Sequence, residues 1–211
     1  LYSSAASDVY KRQVHAMREY WYERDYVEVF SPKLMASASE SKAELFKVDY
    51  FDRPAYLAQS PQFFKQMAQS AGFGKIFEIG PVFRADPSFT SRHATEFTGV
   101  DAEISWIDSH HDVMDMQEAV MRAALAAVKE RHGEAIKEHF DVEIAVPENP
   151  FPRIPLLEAR EIVQSRGHKF ERNDLDMDPE GEREIGRWAL EEHGSEFVFL
   201  TDYPMSIRPF Y

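Results

Sequence analysis

The chain has 211 residues, 44% of them hydrophobic, no cysteine and a formal net charge of −13. That length and apolar content suffice for one sizeable core. The missing cysteines exclude disulfides and thiolate metal sites and fit a cytosolic protein, and no apolar run approaches the ~18 residues that a membrane span needs. So acidic a balance argues against broad, sequence-independent nucleic-acid binding, which draws on clustered Lys and Arg, but leaves room for a local basic site.

Residues 1–13, LYSSAASDVYKRQ, are polar and rich in small residues, with no helical stripe and no secretory signal. The string resembles a translated sequencing-adapter remnant; the alternative is a disordered native terminus. A helical pattern begins at Val14 and continues through Met17 and Trp21, with Arg18, Glu19, Glu23 and Arg24 between them. Residues 26–30 read as a short strand stopped by Pro32, which lacks the ladder donor. Residues 36–44 are small and polar and read as a loop, and residues 45–50 and 55–60 as strands.

Pro61 suits the first turn of a helix running to Ala71 and ending at Gly72. Gln62, Lys65, Gln66 and Gln69 share one of its faces; Phe63, Phe64, Met67 and Ala71 form much of the other. The polar face is either a solvated stripe or one that points Lys65 into a polar pocket.

From Lys75 the sequence alternates with a period of two. In KIFEIGPVFR, Phe77, Ile79 and Phe83 fall on one face, and Glu78, Gly80 and Arg84 on the other. In FTGVDAEISW, Val100, Ala102, Ile104 and Trp106 fall on the core side, and Phe97, Gly99, Asp101, Glu103 and Ser105 opposite. The two runs flank a charged loop. A solvated polar face is the plain reading; an aromatic and two glycines on it favour a ligand face, where a base stacks and a backbone is approached closely.

A long helix is expected from His110 to His132, capped by Asp108 or Ser109 and ended by Gly133, with Val113, Met116, Val120, Ala124 and Ala127 as its stripe. Residues 147–155 read as a proline-rich connector. Helices follow over 155–166, closed by Gly167, and 179–192, closed by Gly194; residues 196–201 read as a strand and RPFY as the start of another. His110, His111, His132, His139, His168 and His193 show no metal-ligand spacing and read as surface residues.

Four segments together resemble the class II aminoacyl-tRNA synthetases. FRADPSFTSRHATEF matches their second signature, and YVEVFSPKLMASASE, with Pro32, resembles the first. YLAQSPQFFKQ resembles the aspartyl-tRNA synthetases of the archaeal and eukaryotic type, and DYPMSIRPFY a later strand region of the same enzymes. The resemblance covers residues 14–211. It implies an α+β fold, a truncated class II catalytic core in which an antiparallel β-sheet is flanked by helices.

The implied activity is aspartate–tRNA ligation: activation of aspartate with ATP, then transfer to tRNA, with Mg2+ assisting. By resemblance, Arg84 holds the α-phosphate and the aspartate carboxylate; Arg92 and His93 hold the outer phosphates; Phe97 stacks on adenine. Asp86 stands where the family usually has glutamate, on the adenosine side. Lys65 reads the aspartate side chain, and Ser39, Glu40, Gln62 and Asp101 surround the α-ammonium. Ser41 and Lys42 replace two glycines common in the loop that closes over aspartate, which restricts that backbone. The third signature, the acidic magnesium ligands and a second side-chain arginine are expected beyond Tyr211, and an anticodon-binding barrel outside this chain. The expectation is thus a fragment with no metal ligand of its own that does not turn over alone.

An asparaginyl-tRNA synthetase or an amidating paralogue is the nearest alternative. A neutral amide would leave Lys65 an unpaired buried charge, which favours aspartate. A non-catalytic synthetase-like binding module is a third reading, disfavoured by the joint presence of Arg84, Arg92, His93 and Phe97. The resemblance also implies a cytoplasmic homodimer whose seam runs through the region from Val14 to Pro32.

Overall fold

The computed structural model describes residues 2–38, 45–85, 94–170 and 175–208. Ser39, Glu40, Ser41, Lys42, Asp86, Arg92, His93 and the final residues 209–211 lie outside them. The chain falls into two compact units, one formed by Val14–Val113 and the other by the start of the chain with the residues from Met114 onward.

Helix α1 (Tyr2–Tyr22) belongs to the Val14–Val113 unit from Val14 onward and leads into β1 (Val27–Glu28) and β2 (Leu34–Met35). β3 (Lys47–Tyr50), β4 (Arg53–Leu57), α2 (Gln62–Ser70), β5 (Lys75–Phe83) and β6 (Glu96–Ile104) follow. Two three-stranded sheets form, in the orders β1-β5-β6 and β2-β4-β3. The dominant β5–β6 pair is antiparallel, as expected, with Glu78 opposite Asp101, Gly80 opposite Gly99 and Val82 opposite Phe97. β1 joins β5 in parallel and pairs only as far as Phe77. Pro81 sits in β5 beyond that pairing, where no ladder donor toward β1 is needed.

The core of this unit lies on the Phe77 side of β5. Trp21 and Phe77 are almost fully buried and stack at 4.7 Å, with Ile79 and Ala16 buried as well. Glu28 ties β1 to α1 by accepting hydrogen bonds from Arg18, at 2.9 Å, and from Tyr22.

α1 begins at Tyr2, so residues 2–13 are helical rather than structureless. They contain neither Gly nor Pro, and Ala6, Lys11, Arg12 and Gln13 favour the helix. Two residues expected in the core are not there. Val100 is half exposed, because β6 is the edge of its sheet among the described strands. Trp106 is 97% exposed: pairing ends at Ile104, and Trp106 adopts a left-handed φ of 61°, which breaks the alternation.

In the other unit, α3 (His110–Phe140) passes straight through Gly133. A helix-interior glycine costs only about 1 kcal/mol, and Glu134, Ala135, Lys137 and Glu138 resume strong helix propensity. Its start is a reciprocal cap: Ser109 Oγ accepts from the His111 amide, and Asp112 accepts from the amides of Asp108 and Ser109. The expected connector holds a strand, β7 (Arg153–Pro155), parallel to β8 (Phe199–Thr201), which is shorter than expected. Residues 205–207 form a turn, and the strand expected from RPFY falls on residues 209–211, outside those described.

α4 (Leu156–Ser165) and α5 (Pro179–His193) pack around Ile154, Leu156, Ala159, Val163, Met177 and Ile185. Gly167 and Gly194 follow the two helices with positive φ, as a left-handed C-terminal cap requires. His168, expected at the surface, is mostly buried, with Nε2 3.0 Å from Asp178 Oδ2.

Asp178 caps α5 by accepting from the Gly181 amide at 2.8 Å. That backbone bond, aided by His168 against a smaller burial penalty, holds its carboxyl below the usual carboxylate range. Stability from a depressed carboxyl is complete above the unfolded-state pKa of about 3.9 and is lost as pH falls through the folded value. Asp178→Ala should lower amide-exchange protection in the first turn of α5 about fivefold at pH 7, the equivalent of about 1 kcal/mol for a lost cap. The difference from wild type should shrink at a pH below the folded-state value.

Candidate active site

The alternation of β5 and β6 places Glu78, Gly80, Val82 and Arg84 on the same sheet face as Phe97, Gly99 and Asp101. All seven line one cavity of about 390 Å³, joined by Lys33 and by the turn Gln59–Ser60–Pro61 before α2. Of the residues expected at the site, Arg84, Phe97 and Asp101 therefore share a wall. The Arg84 guanidinium carbon lies 5.7 Å from the centroid of the Phe97 ring, within cation–π range.

α2 packs with its polar face inward. Lys65 is its buried residue, while Phe63 and Met67 on the opposite face are exposed. The side chains explain the inversion, because the helix meets the polar face of β6. Lys65 Nζ lies 2.8 Å from Asp101 Oδ1 and 2.6 Å from Glu103 Oε1. One helical turn on, Gln69 accepts a hydrogen bond from Ser105. Four helical residues advance ~6 Å and two strand residues ~6.6 Å, so the two rows stay in step.

Burial opposes the charge on Lys65, but the hydrogen bonds to Asp101 and Glu103 outweigh it and hold the ammonium above the usual lysine range. The lysine thus has partners within the chain and is not an unpaired charge in need of a ligand, which corrects the expectation that a neutral amide would strand it. Gln62 is half-buried on the same face of α2, outside the cavity wall.

A second buried charge sits on the same wall, on the strand paired with β6. Glu78 is 4% exposed; it accepts from the Ser31 amide at 3.2 Å, from Ser31 Oγ at 3.0 Å and from Lys33 Nζ. Lys33 also donates to Ser31 Oγ at 2.9 Å. Gly80 makes room for this: a Cβ there would stand 3.2 Å from Glu78 Oε1 and 3.7 Å from Lys33 Nζ. Sequence reasoning assigned Glu78 to the polar face but gave neither it nor Lys33 a role. The partners are 45 residues apart and meet through the parallel β1–β5 pairing. The one local signal was a glycine two residues along the same strand from a charged, inward-facing position.

Among the described residues, no group of three or more His, Asp or Glu side chains could hold a metal ion. None of the described helices is long and apolar enough to cross a membrane.

Residues 4–211 match the family model of the tRNA synthetases class II (D, K and N). The chain belongs to this family. Its relatives include the aspartate–tRNA(Asp/Asn) ligase of Aeropyrum pernix, 47% identical over 196 residues. That match covers 92% of this chain but 44% of the relative, so the synthetase chain spans less than half the length of the curated protein it matches. Among solved structures, the aspartyl-tRNA synthetase of Entamoeba histolytica superposes with a TM-score of 0.81 at 31% identity, covering 98% of this chain and 39% of that one. The asparaginyl-tRNA synthetase of Pyrococcus horikoshii with asparaginyl-adenylate gives 0.77 at 35% identity, covering 88% and 42%. The expected α+β synthetase core is therefore the fold observed.

Removing Lys33 would leave the Glu78 carboxylate buried with Ser31 alone. A cycle of Lys33→Met, Glu78→Gln and the double variant, read by chemical denaturation, should return a coupling of about 2 kcal/mol, in the range for residues in direct contact.

Proposed function

We propose that the protein containing this chain is an aspartate–tRNA ligase. The observation that carries the reading is Lys65, a buried ammonium held cationic by Asp101, whose carboxylate lines the cavity. Aspartate brings an ammonium and a side-chain carboxylate. Asp101 would receive the first, together with Gln62, Ser39 and Glu40; Lys65 would receive the second. Kinship with aspartate–tRNA ligases supports the same choice.

Activation needs no protein nucleophile. An α-carboxylate oxygen of aspartate attacks the α-phosphorus of ATP, the bond to the bridging oxygen breaks, and pyrophosphate leaves with the electron pair. Transfer then joins the acyl carbon to a terminal hydroxyl of tRNA and releases AMP. Positioning and charge stabilisation carry the rate in such chemistry. Arg84 presents a planar fork to the α-phosphate and carboxylate while its neighbour Phe97 takes the adenine face. Arg92 and His93 are assigned to the outer phosphates and Asp86 to the adenosine. Mg2+ would neutralise charge on the phosphates.

We place the protein in the cytoplasm as a homodimer. Support for the seam comes from Phe30, 77% exposed beside the short strand β1, and from half-exposed Val27 within it. The second reading is an asparaginyl enzyme or an amidating paralogue. It is supported by the likeness to the asparaginyl enzyme and by the internal partners of Lys65, which let that lysine persist without a substrate carboxylate.

In the full-length protein, Lys65→Ala should cut aspartate-dependent ATP–pyrophosphate exchange by about a hundredfold, the scale of removing one member of a buried charge pair. Unchanged exchange would sink the assignment. Exchange driven by asparagine instead of aspartate in the wild type would move it to the second reading, and exchange with neither amino acid would leave a binding module. Sedimentation velocity should show a dimer; monomer alone at micromolar concentration removes the seam.

A further inference from the structure

Lys65 has two carboxylate partners, and they are not equivalent. Asp101 lines the cavity; Glu103, one strand step along β6, does not. Glu103 lies toward Ser105, where Gln69 closes the α2–β6 contact. The ammonium is therefore held between a carboxylate on the cavity wall and one outside it. Both oxygens stand at hydrogen-bonding distance, 2.8 Å and 2.6 Å, and the Lys65 side chain is only 10% exposed. A ligand with its own ammonium would draw Asp101 away from Lys65. With Asp101 as sole partner, that exchange would leave a buried lysine uncompensated at the moment it has to orient a carboxylate.

We propose that Glu103 is a positioning residue for amino-acid binding: it anchors the Lys65 ammonium from outside the cavity while Asp101 passes to the ammonium of the substrate. This rests on the reading of Lys65 as the group that meets the side-chain carboxylate of aspartate. Glu103 itself touches no substrate. Its influence runs through Lys65 alone, so it bears on the amino acid and not on the nucleotide.

The test uses the full-length protein and steady-state ATP–pyrophosphate exchange with aspartate and ATP each varied. Glu103→Gln should raise the KM for aspartate about tenfold, within the span seen for charge-pair partners, and leave the KM for ATP unmoved. Glu103→Asp should recover part of the loss. In a Lys65→Ala background the Glu103→Gln effect should disappear, because the anchored group is gone. A KM for aspartate that is unchanged or lowered in Glu103→Gln, equal shifts in both KM values, or full additivity with Lys65→Ala overturns the inference. The parent reading fails separately: its signature is Lys65→Ala with undiminished aspartate exchange, whatever Glu103→Gln does.

Discussion

One buried ammonium ties the ligand-facing side of this chain together. Lys65 reaches from α2 to two carboxylates of β6, and that contact turns the polar stripe of the helix inward and leaves Phe63 and Met67 outside. A lysine is rarely buried unless paired, and burying it with one partner is costly. Two carboxylates at hydrogen-bonding distance resolve the cost and also fix the helix register, since Gln69 and Ser105 meet one turn farther on. Helix position, strand face and site charge follow from a single electrostatic requirement.

The same sheet face carries the second buried ion, Glu78, held by Ser31 and Lys33. The opposite face of β5 is ordinary core, where Phe77 stacks on Trp21. Phe77 and Ile79 pack on one side; the other carries Arg84, Phe97 and Asp101 around a cavity, beside the buried Ile76 and Val82. Sites mounted on paired strands keep their geometry better than sites on loops, which matters where positioning supplies the rate.

Local pattern made much of this legible. The period of two in β5 and β6 by itself assigns Glu78, Arg84, Phe97 and Asp101 to polar strand faces, and Gly167 and Gly194 close the helices they are expected to close. The same rules failed where context overrode them. Gly133 did not end α3, because strong helix formers follow it. Trp106 left the core side when a left-handed residue ended the alternation, and Val100 lost its cover at a sheet edge.

By itself the sequence determined what depends on neighbours along the chain: the faces of β5 and β6, the glycines that close α4 and α5, and the segments that mark a class II synthetase. Only the tertiary structure decided what depends on partners distant in sequence. Lys65 and Asp101 are 36 residues apart, and Lys33 and Glu78 are 45. No periodicity encodes such meetings, because they arise from how β5 pairs with β1 and how α2 lies on β6. That is why Lys65 was legible as a candidate reader of a carboxylate, while the fact that the chain supplies it with two carboxylates of its own was not.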